Sequence, residues 1–145
     1  PRGLPHGTVI DRMEGDRSNL EAAARDYEAK LPHAIDVLLL GLGDDGHIAS
    51  LFPDSPVFSE PDRLVVPVTG STAPHDRLTI TPPVVTSANR IFLLAPGKEK
   101  GRVLAEALRA PDDIRSFPVL LTLRGTWLLD AEAVRQVETA LHDGI

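Results

Sequence analysis

Cysteine is absent from the 145 residues, which excludes disulfides, thiolate zinc sites and thiol nucleophiles. The absence fits a reducing, cytoplasmic compartment. No apolar run approaches the roughly 20 residues that cross a bilayer as a helix. The opening Pro1-Arg2-Gly3-Leu4-Pro5-His6 lacks the apolar core of a secretory leader. Clusters of Lys and Arg are missing as well, and 15 basic against 21 acidic side chains leave a net charge of −6. That balance argues against nucleic acid or an anionic membrane as partner. It leaves room for an anionic small molecule, because one or two placed cations hold a phosphate. An initiator methionine is also lacking. A chain that begins at Pro1 is expected to be a piece of a longer protein.

What is present suits a globular α/β domain. Hydrophobic residues make up 42% and charged residues 25%, ordinary values for a chain long enough to bury a core. Thr8-Val9-Ile10 reads as an edge strand. Ser18 with Glu21 forms a capping-box pattern, and Leu20, Ala23, Ala24, Tyr27 and Leu31 follow at helical spacing up to Pro32. The apolar run from Ile35 to Leu40 reads as a strand covered on both faces, as in a parallel sheet. Two more strands are expected at Leu64–Val68 and Leu78–Thr81, and Thr81-Pro82 is suited to start a short helix reaching Ala88.

Ile91–Ala95 repeats the buried-strand pattern. After Pro96-Gly97 comes a helix with Val103, Leu104, Ala107 and Leu108 on one face. Trp127-Leu128-Leu129 reads as a last strand, and Asp130 as the cap of a helix bearing Val134, Val137 and Leu141. Strands alternating with helices predict a Rossmann-like, three-layer α/β domain with a mostly parallel sheet. No repeat or internal linker divides the chain, so 1–145 is expected to be one domain, with Asp54 to Arg63 as its long irregular stretch.

The turn Gly41-Leu42-Gly43-Asp44-Asp45-Gly46-His47 follows the first buried strand, where open parallel sheets bind ligands. Its three glycines spell G-x-G-x-x-G. A dinucleotide site, however, needs a long helix after the loop, and Pro53 leaves room for little more than one turn. Asp44 and Asp45 would also oppose a diphosphate. A serine hydrolase built on Ser50, His47 and Asp45 lacks the G-x-S-x-G elbow. In a third reading His47 is itself the proton-transfer group, oriented by Asp45, with glycine N–H groups facing a developing oxyanion. The bland alternative keeps His47 as a strand-end residue and both aspartates as solvated turn residues. The loop taken alone leaves these last two open.

The eighteen residues from Asp36 to Pro53 closely resemble the signature of the 6-phosphogluconolactonases, within the group that includes glucosamine-6-phosphate deaminases. The likeness continues through Pro74–Thr79, Gly97–Lys100 and Trp127–Asp130, in the expected order. It implies hydrolysis of 6-phospho-D-glucono-1,5-lactone to 6-phosphogluconate, the second step of the oxidative pentose phosphate pathway, with no metal or organic cofactor. By position it implies His47 as general base with Asp45 beside it. It further implies Arg77 and Lys100 as phosphate-binding cations and a substrate pocket bordered by Gly41, Gly43 and Gly46. A guanidinium gives bidentate phosphate contacts and an ammonium a point charge.

The family's N-terminal portion, with a glycine-threonine phosphate loop and an Asp-Glu-Arg segment, has no counterpart in these residues. The deaminase branch resembles D-G-H-I-A-F-N-E-P, whose Glu assists ring opening; the corresponding position is Phe52. A non-catalytic sugar-phosphate-binding module is the rival of a different class.

Overall fold

A computed structural model describes residues 3–70 and 73–143. Pro1, which carries the expectation of a longer protein, lies outside the described residues. The order is α1 (Leu20–Glu28), β1 (Val37–Gly41), β2 (Val65–Thr69), β3 (Asp76–Ile80), α2 (Pro82–Ser87), β4 (Arg90–Leu94), α3 (Lys98–Arg109), β5 (Thr126–Leu128) and α4 (Ala131–Asp143). Single 3₁₀ turns at Pro56–Ser59 and Pro118–Thr122 join some of these.

Strands β1, β4 and β5 form a parallel sheet in the order β1-β4-β5, with Leu39 opposite Phe92 and Leu93 opposite Trp127. The α/β class and the parallel sheet are thus as expected. Strands β2 and β3 pair antiparallel in a sheet of their own. Their connection runs only from Gly70 to His75, far too short for the crossover that parallel neighbours require. Pro67, inside β2, is tolerated because a two-stranded sheet has only edge strands.

The buried face of the parallel sheet carries Leu40, Ile91 and Leu93. The opposite face corrects the reading of β1 as covered on both sides. Val37 and Leu39 keep 55% and 63% of their surface exposed, and Leu94 and Leu128 lie open beside them. Alternation at period two puts all four on one side.

Other expectations shift by small amounts. Thr8–Ile10 is not a strand but exposed, irregular chain, with Val9 80% exposed. The cap of α1 is Asn19 rather than Ser18, its side chain accepting from the Ala22 N–H at 2.9 Å. The helix stops at Glu28, before Pro32. Thr81 does precede α2, yet its hydroxyl donates to the Arg63 carbonyl at 2.8 Å and makes no cap bond.

Two junctions fix the layers. Arg63 donates to Glu28 at 2.7 Å and to Glu21 at 2.6 Å, tying α1, through its buried Ala23 and Ala24, to the start of β2. At the other end, Asp130 accepts from the Ala133 N–H of α4 and from the Gly97 N–H that opens α3. The same two helices cross at small residues: a Cβ on Gly101 would lie 2.5 Å from the Ala133 carbonyl oxygen. Ala133 and Ala140 of α4 are buried, whereas Leu141 is exposed.

Candidate functional site

The loop after β1 is a reversal, not the start of a helix. The expected turn from His47 to Phe52 is replaced by short bridges, Leu42 to Ile48 and Ile48 to Leu51. Ala49 adopts φ 50°, a left-handed value, which lets Ile48 and Leu51 both become fully buried. Burying two large side chains, each about 1.5–3 kcal/mol, outweighs about 1–2 kcal/mol for one residue in that region.

Each glycine of the loop has its own reason. Gly46 has φ 88°, a conformation that L side chains avoid. Gly43 must lack a Cβ because the His47 ring packs where it would stand. Gly41, by contrast, faces open space. The Gly43 N–H donates to the His47 carbonyl at 2.8 Å and the Gly46 N–H to the Gly43 carbonyl at 3.2 Å. These two amides therefore close the turn instead of standing open for an oxyanion.

His47 and Asp45 are directly paired. The ring Nδ1 is 2.5 Å from Asp45 Oδ1, which also accepts from the His47 backbone N–H at 3.1 Å. Burial pushes the Asp45 carboxyl up, but the His47 N–H and ring bonds outweigh it and hold the group below the ordinary aspartate range. An ionised carboxylate only accepts, so Nδ1 carries a hydrogen, and in the neutral imidazole the lone pair is then on Nε2. That arrangement can take a proton from water. Ser50 is buried, its amide donating to Thr79 Oγ1 at 3.1 Å, and it lines the same cleft as His47.

Phe52 gathers a second group. Its ring centre is 4.8 Å from that of His47, tilted by 52°, and the Arg77 guanidinium lies over its face at 5.4 Å. Arg77 Nε also donates to the Pro74 carbonyl at 2.8 Å. Gly70 backs this stack, since a Cβ there would meet Arg77 Nε and Phe52 Cζ at 3.0 Å. Lys100, in the first turn of α3, is joined to the loop by a different route. Its Nζ is 2.6 Å from Asp44 Oδ1. Arg77 thus comes to His47 through Phe52, and Lys100 comes to the loop through Asp44.

A cleft of about 560 Å³ is lined by His47 together with Leu39, Gly41, Gly43 and Leu78 to Ile80, while neither Arg77 nor Lys100 is among its lining residues. Another hollow of about 470 Å³, lined by the Pro56–Ser59 turn, β2 and Leu20, is bordered by Glu60 and Asp76 and, among the described residues, by no cation. It is unsuited to an anion. Among the described residues, no group of three His, Asp or Glu side chains could hold a metal, and no helix is long and apolar enough to cross a membrane.

Sequence reasoning missed Phe52, Gly70 and Asp44 as site residues. Phe52 was legible only as a carboxylate replaced, Asp44 only as a charge opposing a diphosphate. No local signal could have placed Gly70, whose neighbours come from two other segments.

The family described as glucosamine-6-phosphate isomerases/6-phosphogluconolactonase matches residues 2–128. The chain is 37% identical over 139 residues to a 6-phosphogluconolactonase of Streptomyces coelicolor, covering 86% of this chain and 53% of the relative. It is 36% identical over 129 residues to the human 6-phosphogluconolactonase, covering 80% and 50%. The chain therefore spans about half the length of the curated relatives it matches. Among solved structures, a 6-phosphogluconolactonase from Trypanosoma cruzi superposes with a TM-score of 0.65 at 32% identity, over 79% of this chain and 51% of that one. A monomeric glucosamine-6-phosphate deaminase gives 0.68 at 26% identity, over 84% and 57%.

Proposed function

We propose a sugar-phosphate lactone hydrolase activity for this chain, which belongs to the glucosamine-6-phosphate isomerase/6-phosphogluconolactonase family. The substrate is 6-phospho-D-glucono-1,5-lactone and the product 6-phosphogluconate, the reaction that the names of the lactonase relatives indicate. The observation that carries the reading is the Asp45–His47 pair beside the cleft, with the neutral imidazole's lone pair on Nε2 and Arg77 nearby over Phe52. A soluble lactone as ligand and a cytoplasmic setting belong to the same reading.

In the reaction, Arg77 and Lys100 hold the phosphate and so place the lactone carbonyl near His47. Nε2 takes a proton from water as the water attacks C1. Asp45 holds the ring and stabilises the imidazolium that forms. Because the Gly43 and Gly46 amides are engaged inside the loop, donors from outside these residues complete the oxyanion site. Collapse of the tetrahedral intermediate expels the ring oxygen, which takes the proton from Nε2.

A deaminase is the second reading, favoured by the likeness to a solved glucosamine-6-phosphate deaminase. Against it stands Phe52, a buried ring in contact with His47 where that branch resembles a Glu. An apolar ring cannot shuttle a proton. The test is hydrolysis of freshly made lactone, corrected for spontaneous opening, with glucosamine 6-phosphate as the rival substrate. Rapid hydrolysis that His47→Ala abolishes is expected. Equal rates for both proteins, or ammonia released from the amino sugar, would overturn the reading.

A further inference from the structure

Asp44 and Lys100 form an ion pair whose two members are unequally placed. The Asp44 side chain keeps 84% of its surface exposed and that of Lys100 only 25%. The lysine stem is packed at the start of α3, while the carboxylate is already hydrated. The carboxylate is therefore the member that can swing away at little cost. The neighbouring Asp45 is occupied with His47, so the two adjacent aspartates divide the work. One orients the ring and the other neutralises the cation.

We infer that Asp44 is an exchangeable counter-ion for Lys100: a substrate phosphate displaces it on binding, and it takes the ammonium back as the phosphorylated product leaves. The inference rests on Lys100 being a phosphate contact, as in the proposed reaction. A phosphate monoester carries about −1.5 to −2 charge near neutral pH. That charge competes successfully with one carboxylate for the ammonium, whereas the uncharged hydroxymethyl group of an unphosphorylated sugar cannot. Asp44 thereby loosens product binding and keeps Lys100 neutralised when the site is empty. It acts through Lys100 and touches no reacting atom.

The test is calorimetric titration with 6-phosphogluconate, and separately with gluconate, of the wild type, Asp44→Asn, Lys100→Met and the double variant. A readout of affinity needs no turnover. Thermal melting establishes that each variant is folded, and Asn keeps the shape of an exposed side chain. Asp44→Asn is expected to bind 6-phosphogluconate about two- to fivefold more tightly, the scale of an exposed ion pair. Lys100→Met is expected to bind it more weakly, with no further gain from Asp44→Asn in that background.

Four results would overturn the inference. If Asp44→Asn binds equally or more weakly while Lys100→Met still weakens binding, the counter-ion role fails and the phosphate contact stands. A gain in the double variant as large as in Asp44→Asn alone would mean that the carboxylate acts at a distance rather than through Lys100. If Lys100→Met leaves affinity unchanged, or wild type prefers 6-phosphogluconate no more than gluconate, the phosphate assignment fails and takes the inference with it.

Discussion

The Arg77 guanidinium lies over the face of Phe52, 5.4 Å from the ring centre, and the same ring is 4.8 Å from that of His47. One buried aromatic side chain therefore touches both the candidate base and a candidate phosphate cation. A cation over an aromatic face gains about 0.5–2 kcal/mol, enough to hold a long side chain in one of its rotamers.

Replacing Phe52 by Leu keeps an apolar filler but removes the flat face. KM for the phosphorylated lactone is expected to rise about 3- to 20-fold as Arg77 loses its platform, with a smaller fall in kcat. Phe52→Tyr should restore KM. Steady-state kinetics of the three proteins decide it, and a Leu variant with unchanged KM would refute the positioning role.

Asp45→Asn tests the dyad. Loss of the fixed charge is expected to lower kcat by about 10²-fold. The wild-type carboxyl lies below the ordinary aspartate value of about 3.9. Its stabilising pairing is therefore complete above that value and disappears only as pH falls through the lowered one. The Asn variant should show its deficit across the whole range above pH 4, as a pH–rate profile would display. A deficit confined to low pH would contradict the assignment.

Gly43→Ala sets a methyl group where the His47 ring now lies. Displacing the imidazole from Asp45 is expected to lower kcat by about 10²-fold or more, with thermal stability reduced far less than activity. Comparing melting temperature with kcat separates the two. Activity near wild type would show that the ring has another workable position.

Glu28 is a stability prediction remote from the chemistry. Its side chain is 20% exposed and pairs with Arg63 at 2.7 Å. Burial pushes its carboxyl up, but the Leu64 N–H and Arg63 outweigh it and hold the group below its ordinary range. The stabilisation is present above the ordinary glutamate value of about 4.3 and is lost as pH falls through the lowered value. Glu28→Gln should cost about 1–3 kcal/mol at pH 7, shrinking as pH falls through the lowered value. Urea unfolding at several pH values measures it, and a cost that did not shrink in acid would point to packing rather than charge.

Much of this was legible along the chain. Apolar runs ending in Gly41 and at Ala95 announced parallel strands, and Pro82 and Asp130 announced helix starts, because periodicity and cap chemistry act over a few residues. Errors arose where neighbours compete. Ser18 and Asn19 are both competent cap types, and the extended backbone of Asn19 with its side-chain bond to the Ala22 N–H decides for Asn19. The segment from His47 to Phe52 has helix-compatible residues, but the burial of Ile48 and Leu51 favours a reversal at Ala49. The continuous apolar run of β1 says that both faces prefer cover, not which face receives it within these residues.

The sequence by itself determined that a glycine turn after a buried strand presents His47 with Asp45 two residues before it, since backbone and side chain of one tight loop must meet. Tertiary structure alone decided that Phe52 joins His47 to Arg77, that Gly70 backs that stack, and that Asp44 claims Lys100. Those partners come from β3, the hairpin loop and α3, and no local preference specifies how such elements dock. Their meeting depends on how the parallel sheet, the antiparallel hairpin and α3 pack together.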